Sequence, residues 1–95
     1  MKVLVYAPTA ASEVKETAND LKSMQALVGG LIQPVPVRFG ELYFWLVCNE
    51  DGLMLGLPEN RYVGGHRLVG TFFICRPGFK SLKDSDVEIV KGVLA

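Results

Sequence analysis

Residues 57–70, LPENRYVGGHRLVG, hold most of what could do chemistry in this chain: two arginines, the only histidine, an asparagine and three glycines. From Gly65 the letters G-H-R-L-V-G-T reproduce the glycine spacing of a phosphate-gripping P-loop and its closing threonine, Thr71. A P-loop needs a lysine directly before that threonine to hold the terminal phosphates, and Gly70 stands there instead. The glycines also frame the start of an apolar β-run, not a strand-to-helix turn whose amides converge on phosphate. A nucleotide triphosphatase is excluded on both grounds. A simpler anion site survives. Arginine forks pair with phosphate or carboxylate, and a Gly-Gly pair lets a ligand come close to the backbone. The candidate ligand-binding residues are therefore Asn60, Arg61, His66 and Arg67, with Trp45 or Tyr43 as a stacking surface for a base. Turns account for the same residue types without a ligand: Pro58-Glu59-Asn60 as one, Gly64-Gly65 as a second turn or bulge, with the charges simply solvated. Both readings stand.

Other chemistries fare worse. One histidine and two separated cysteines do not make a zinc set with its usual close pairs, so no metal is expected. Cys48 with His66 is the one conceivable nucleophile and base. Cys48 lies in an apolar run, however, where surroundings raise a thiol's pKa and quench it. Glu50 and Asp51 read as turn residues, and Asp84, Asp86 and Glu88 as charges at a helix start, so no catalytic carboxylate pair emerges. No G-x-G-x-x-G fingerprint occurs. The expectation is a non-enzyme without a cofactor.

Ninety-five residues with 49% apolar and 21% charged side chains suit one packed domain spanning 1–95. Ten basic and ten acidic residues cancel, which argues against duplex nucleic acid as a partner. The start, MKVLVYAPTA, has too short an apolar stretch for a secretory signal, and no run reaches the length of a membrane span. A cytoplasmic protein with two buried free thiols, Cys48 and Cys75, is the expectation.

The elements that must position these residues follow from patterning. Lys2 to Tyr6 is a first strand. The segment around Glu13-Val14-Lys15-Glu16-Thr17 reads as a short exposed edge strand, or a loop, whose charges discourage pairing with other chains. Asn19 or Asp20 caps a helix with Leu21, Met24, Leu27 and Val28 on one stripe, stopped at Gly29-Gly30. LIQPVPVRFG carries two prolines and fits only an edge strand or an extended bend. Leu42 to Cys48 is a strong strand. Asp51-Gly52 then signals a hairpin with Leu53-Met54-Leu55 as its returning arm. Arg67 to Cys75 is another strand, followed by a turn at Arg76-Pro77-Gly78. Asp84, Ser85 and Asp86 open a last helix with Val87, Val90 and Val93 or Leu94 inward. Both strong strands are apolar on both faces, more than two short helices are expected to cover. The uncovered part is then a subunit interface or a ligand cleft.

Three stretches, MKVLVYAP, DLKSMQALVGGLIQPVPV and LVCNEDGLMLGLPENRYVGGHRLVGTFFI, resemble a family of small bacterial and phage domains of unknown function. The shared marks are a helix ending in Val-Gly-Gly, a Cys-Asn-Glu-x-Gly hairpin, a Leu-Pro-x-Asn-Arg turn and a Gly-Gly-x-x-x-Val-Gly-Thr strand. Asn49, Glu50, Gly52, Pro58, Asn60 and Arg61 carry the polar part of that signature. The resemblance implies a phage or mobile-element setting and no established activity. The combined expectation is an α+β domain, a twisted, mostly antiparallel sheet of about five strands with two helices, forming a homodimer or other homo-oligomer. Its expected function is non-catalytic binding, as a counter-defence module that sequesters a nucleotide-like small molecule. The alternative is a protein–protein inhibitor that docks on a host defence protein or enzyme through an apolar sheet face or edge.

Overall fold

The computed structural model describes residues 1–94. In chain order the elements are β1 (Lys2–Tyr6), β2 (Glu13–Glu16), α1 (Leu21–Val28), β3 (Ile32–Phe39), β4 (Leu42–Asn49), β5 (Glu59–Val63), β6 (His66–Val69), β7 (Phe72–Cys75) and α2 (Asp84–Leu94). Five strands form one antiparallel sheet in the order β2-β1-β7-β4-β3, and β5 pairs β6 in a separate hairpin. This is the α+β architecture the patterning predicts. No helix among the described residues is long and apolar enough to cross a membrane.

The apolar alternation on both strand faces is explained by cover on both sides. Leu4, Tyr6, Phe44, Leu46, Phe72 and Ile74 face one way and pack with Val87 and Val90 of α2 and with Val63 and Leu68 of the hairpin. Val3, Val5, Val47, Phe73 and Cys75 face the other way, onto Met24 and Val28 of α1. Each fully buried aliphatic side chain contributes roughly 1.5–3 kcal/mol, so two residues anchor a helix of only two turns. Asp20 caps α1 by accepting from the Ser23 amide at 2.7 Å, which holds its carboxyl below the usual carboxylate range. Gly29, in the left-handed region at φ 79°, ends the helix. The Asn49 amide then donates to the Val28 carbonyl at 3.2 Å and ties that end to β4.

Proline within β3 follows from hydrogen-bond parity. Glu50 donates its amide to the Leu31 carbonyl at 2.8 Å, so with this register Gln33, Val35 and Val37 turn their backbone groups to β4. Pro34 and Pro36 fall on the alternate positions, whose nitrogens face away from the sheet.

Several expectations need correction. Leu53-Met54-Leu55 is not a returning arm, because β3 and β7 already occupy both sides of β4. Residues 51–56 instead coil in turns, with the Leu55 amide on the Asp51 carbonyl at 2.9 Å and Gly56 at φ 66°. Gly52 is seated against Val69, whose Cγ2 would lie 2.9 Å from any added Cβ. The glycine of Asp-Gly thus serves close packing, not a hairpin. The run Arg67 to Cys75 is also two strands. Gly70, at φ 72°, breaks it and sends β6 to the hairpin and β7 to the centre of the sheet. Pro58-Glu59-Asn60 is the entry to β5, where the register shifts at Asn60 in a β-bulge, and not a turn. On α2 the open alternative between Val93 and Leu94 resolves to Leu94, which packs inward as expected of one of the two. Cys48 is half-buried instead of buried.

Candidate functional site

The Gly64-Gly65 pair joins β5 to β6 as a two-residue loop with both φ values positive, 54° and 81°. That is the backbone of a type I′ turn, the geometry that matches the twist of a tight hairpin. An added Cβ at either glycine would meet nothing within 4 Å. The pair serves the turn, and close approach of a ligand is not what requires it.

Asn60 and Arg61 are engaged in holding the hairpin to the body of the domain. The Asn60 amide donates to the carbonyls of Tyr6 at 2.9 Å and Gly70 at 2.8 Å, while its oxygen accepts from Arg61 Nε at 2.8 Å. The Arg61 guanidinium stacks 4.7 Å from the Tyr6 ring centroid, donates to the Leu94 carbonyl at 3.2 Å and reaches the Ala10 carbonyl at 3.5 Å. Beneath it, the Tyr6 hydroxyl is buried, with Ser12 as its side-chain neighbour. Burial pushes its pKa above the ordinary tyrosine value.

His66 and Arg67 stand elsewhere. Both are exposed, on the rim of an open cleft of about 350 Å³ between β6, the β3–β4 edge and the coiled 51–56 segment. Val35, Cys48 and Leu68 make its apolar floor, with Gln33 and Glu50 as polar walls. Arg67 Nε donates to Glu59 Oε1 at 2.6 Å, and a second guanidinium nitrogen bonds the same oxygen. At the surface such a pair is weak, screened by water and salt, so an incoming anion can take the guanidinium over.

The aromatics do not join them. Tyr43 and Trp45 alternate with Phe44 and Leu46 along β4, so they point away from the face that carries the hairpin. Trp45 packs edge-on to Phe79 with centroids 5.0 Å apart, and Tyr43 is exposed beneath the Arg38 guanidinium at 5.8 Å. The six residues singled out from the sequence thus divide among three places: a structural clamp, a cleft rim and the opposite sheet face. Sequence reasoning missed the cleft floor. Alternation along β3 and β4 puts Gln33, Val35 and Cys48 on one face, but only the chain's return through β6 roofs it. A second depression of about 320 Å³, beside Pro8, Gly29 and Leu57, has no charged side chain in its wall.

The two thiols differ in environment. Cys75, buried in the sheet, is pushed up to about 12 by desolvation. The Cys48 thiol is also raised by burial, and its Sγ donates to the Gln33 carbonyl at 3.6 Å. That is the arrangement of a protonated thiol, not a nucleophile. Alkylation of the native protein at neutral pH should modify Cys48 slowly and Cys75 only on unfolding, giving one modified thiol by intact mass. Equal labelling of both would contradict the packing described.

Residues 1–94 match the family model described as Domain of unknown function (DUF3846). No curated protein and no solved structure matches the chain.

Proposed function

The chain belongs to this family, domain of unknown function DUF3846, and on that premise we propose that it is a non-catalytic binding module for a small anionic, nucleotide-like molecule. The cleft under His66 and Arg67 is its site. The observation that carries the reading is the Arg67 guanidinium and His66 imidazole set on the rim above an apolar floor, in a space of about 350 Å³, within the usual range for small-ligand pockets. Arg67 would exchange Glu59 for the ligand's phosphate, His66 would add a second donor, and Val35 and Leu68 would receive the apolar part. Asn60 and Arg61 support this site by fixing the hairpin and do not contact the ligand. Tyr43 and Trp45 take no part. The phage setting implied by the resemblance gives such a module a use, sequestration of a host defence signal.

Calorimetry with a panel of cyclic and ADP-ribose-type nucleotides tests the reading. A binder should be found, Arg67→Ala should weaken it about tenfold, the loss expected for one charge-assisted phosphate contact, and its melting temperature should stay unchanged. The bound ligand should also shield Cys48 from alkylation. A silent panel with unprotected Cys48 would overturn it.

A second reading rests on a separate observation. Leu53, Met54 and Leu55 are consecutive and 65%, 82% and 60% exposed beside the cleft. Contiguous exposed apolar residues mark protein contacts. A silent nucleotide panel together with a stoichiometric protein complex that Met54→Asp abolishes would favour this inhibitor reading.

A further inference from the structure

We propose that β2 is a self-pairing edge through which two copies of this chain join their sheets around a two-fold axis at Val14. The inference concerns the sheet edge opposite the cleft and is independent of any ligand.

The two edges of the sheet are chemically unlike. On β3 the outward positions include Pro34 and Pro36, so the edge lacks donors where an added strand would need them. On β2 the parity is set at its end. Thr17 donates its amide to the Met1 carbonyl at 2.9 Å, and the Met1 amino group donates to the Thr17 carbonyl at 2.8 Å. With the register Lys2↔Glu16 to Val5↔Glu13, Lys15 and Glu13 therefore bond β1, while Val14 and Glu16 turn both backbone groups outward. No proline or bulge interrupts them, and all four side chains of β2 are exposed.

Charge selects the partner and the register. Antiparallel pairing must set outward positions against outward positions. A two-fold axis can therefore pass through residue 13, 14, 15 or 16 of β2, but not between them. An axis at 13 opposes Glu13 to Glu13 of the second copy, an axis at 15 opposes Lys15 to Lys15, and an axis at 16 opposes Glu16 to Glu16. An axis at 14 instead sets Glu13 against Lys15 of the second copy twice, at the non-hydrogen-bonded positions where side chains come closest. Val14 then meets its own equivalent. Within one chain Lys15 Nζ already lies 3.8 Å from Glu13 Oε2, so the dimer would complete an alternating square of four charges. The same charges that reject other registers accept this one. Symmetry makes the edge self-complementary, as a two-fold interface requires.

Sedimentation equilibrium from about 10 μM to about 1 mM, the range suited to a small interface, tests the proposal. The wild type should dimerise reversibly. Val14→Pro should leave a monomer with the melting temperature of the dilute wild type, because the residue 14 nitrogen is not used in the β1 ladder. Lys15→Glu should weaken association about tenfold by turning both cross-strand pairs repulsive, and Glu13→Lys combined with Lys15→Glu should restore it. The charge swap keeps the test decisive if the proline variant fails to fold. A wild type that stays monomeric at the highest concentration, or a dimer indifferent to these substitutions, would overturn it. Nucleotide binding at the cleft should be the same in Val14→Pro, so the two proposals fail separately.

Discussion

Arg61→Ala should cost about 3 kcal/mol of stability, combining a cation–π contact on the buried Tyr6 ring with charge-assisted bonds to the Asn60 oxygen and the part-buried Leu94 carbonyl. For a domain of this size that is a fall of roughly 12–24 °C in melting temperature. The reason lies in what one guanidinium joins. It stacks on Tyr6 of β1, bonds Asn60 at the bulge, and reaches Ala10 in the β1–β2 connection and Leu94 at the end of α2. Its removal exposes the buried Tyr6 ring, leaves the Asn60 oxygen without its donor and uncaps the helix carbonyl. Arg61→Lys should recover less than half of the loss, because a single ammonium cannot stack and fork at once. Thermal unfolding checks both variants. A stable Arg61→Ala that has lost ligand binding would return Arg61 to the site and undo its structural role.

Asp86→Ala should cost about 3 kcal/mol, the low end for breaking a buried ion pair because its partner is partly hydrated. Asp86 is 2% exposed, with Arg76 Nε 2.9 Å from Oδ2 and the Lys83 amide donating to the same oxygen at 2.8 Å. It thus closes the first turn of α2 in the manner of a capping box and pins that turn to the 76–80 segment. Asp86→Asn keeps an acceptor for the Lys83 amide and should lose about half as much. A double-mutant cycle with Arg76→Ala by denaturant unfolding measures the coupling. Additive losses would show that the pair contributes only its cap. With Arg61 at the other end, α2 is held at both termini by arginines from elsewhere in the chain.

Most elements were legible in the sequence, and the misreadings share a cause. β1, β2, α1, β4 and α2 announce themselves by alternation, helical spacing, caps and the Gly29 stop, all of which act within a few residues. Local turn chemistry misplaces Asp51-Gly52, and apolar patterning runs one strand straight through Gly70, because these glycines answer to distant neighbours, Val69 and Leu57. Asn60 was read as a turn residue when its role is to satisfy the Tyr6 and Gly70 carbonyls across a bulge.

The sequence by itself determined the class of fold, the two-sided apolar sheet, the two edges and the absence of a lysine where a P-loop requires one. These are properties of adjacent residues, decided by sterics and periodicity. Only the tertiary structure decided that Arg61 and Arg67, six positions apart, do different work. A bulge at Asn60 and a turn at Gly64-Gly65 send one guanidinium inward over Tyr6 and the other out to the cleft rim. That choice depends on which carbonyls and rings the folded chain brings within reach.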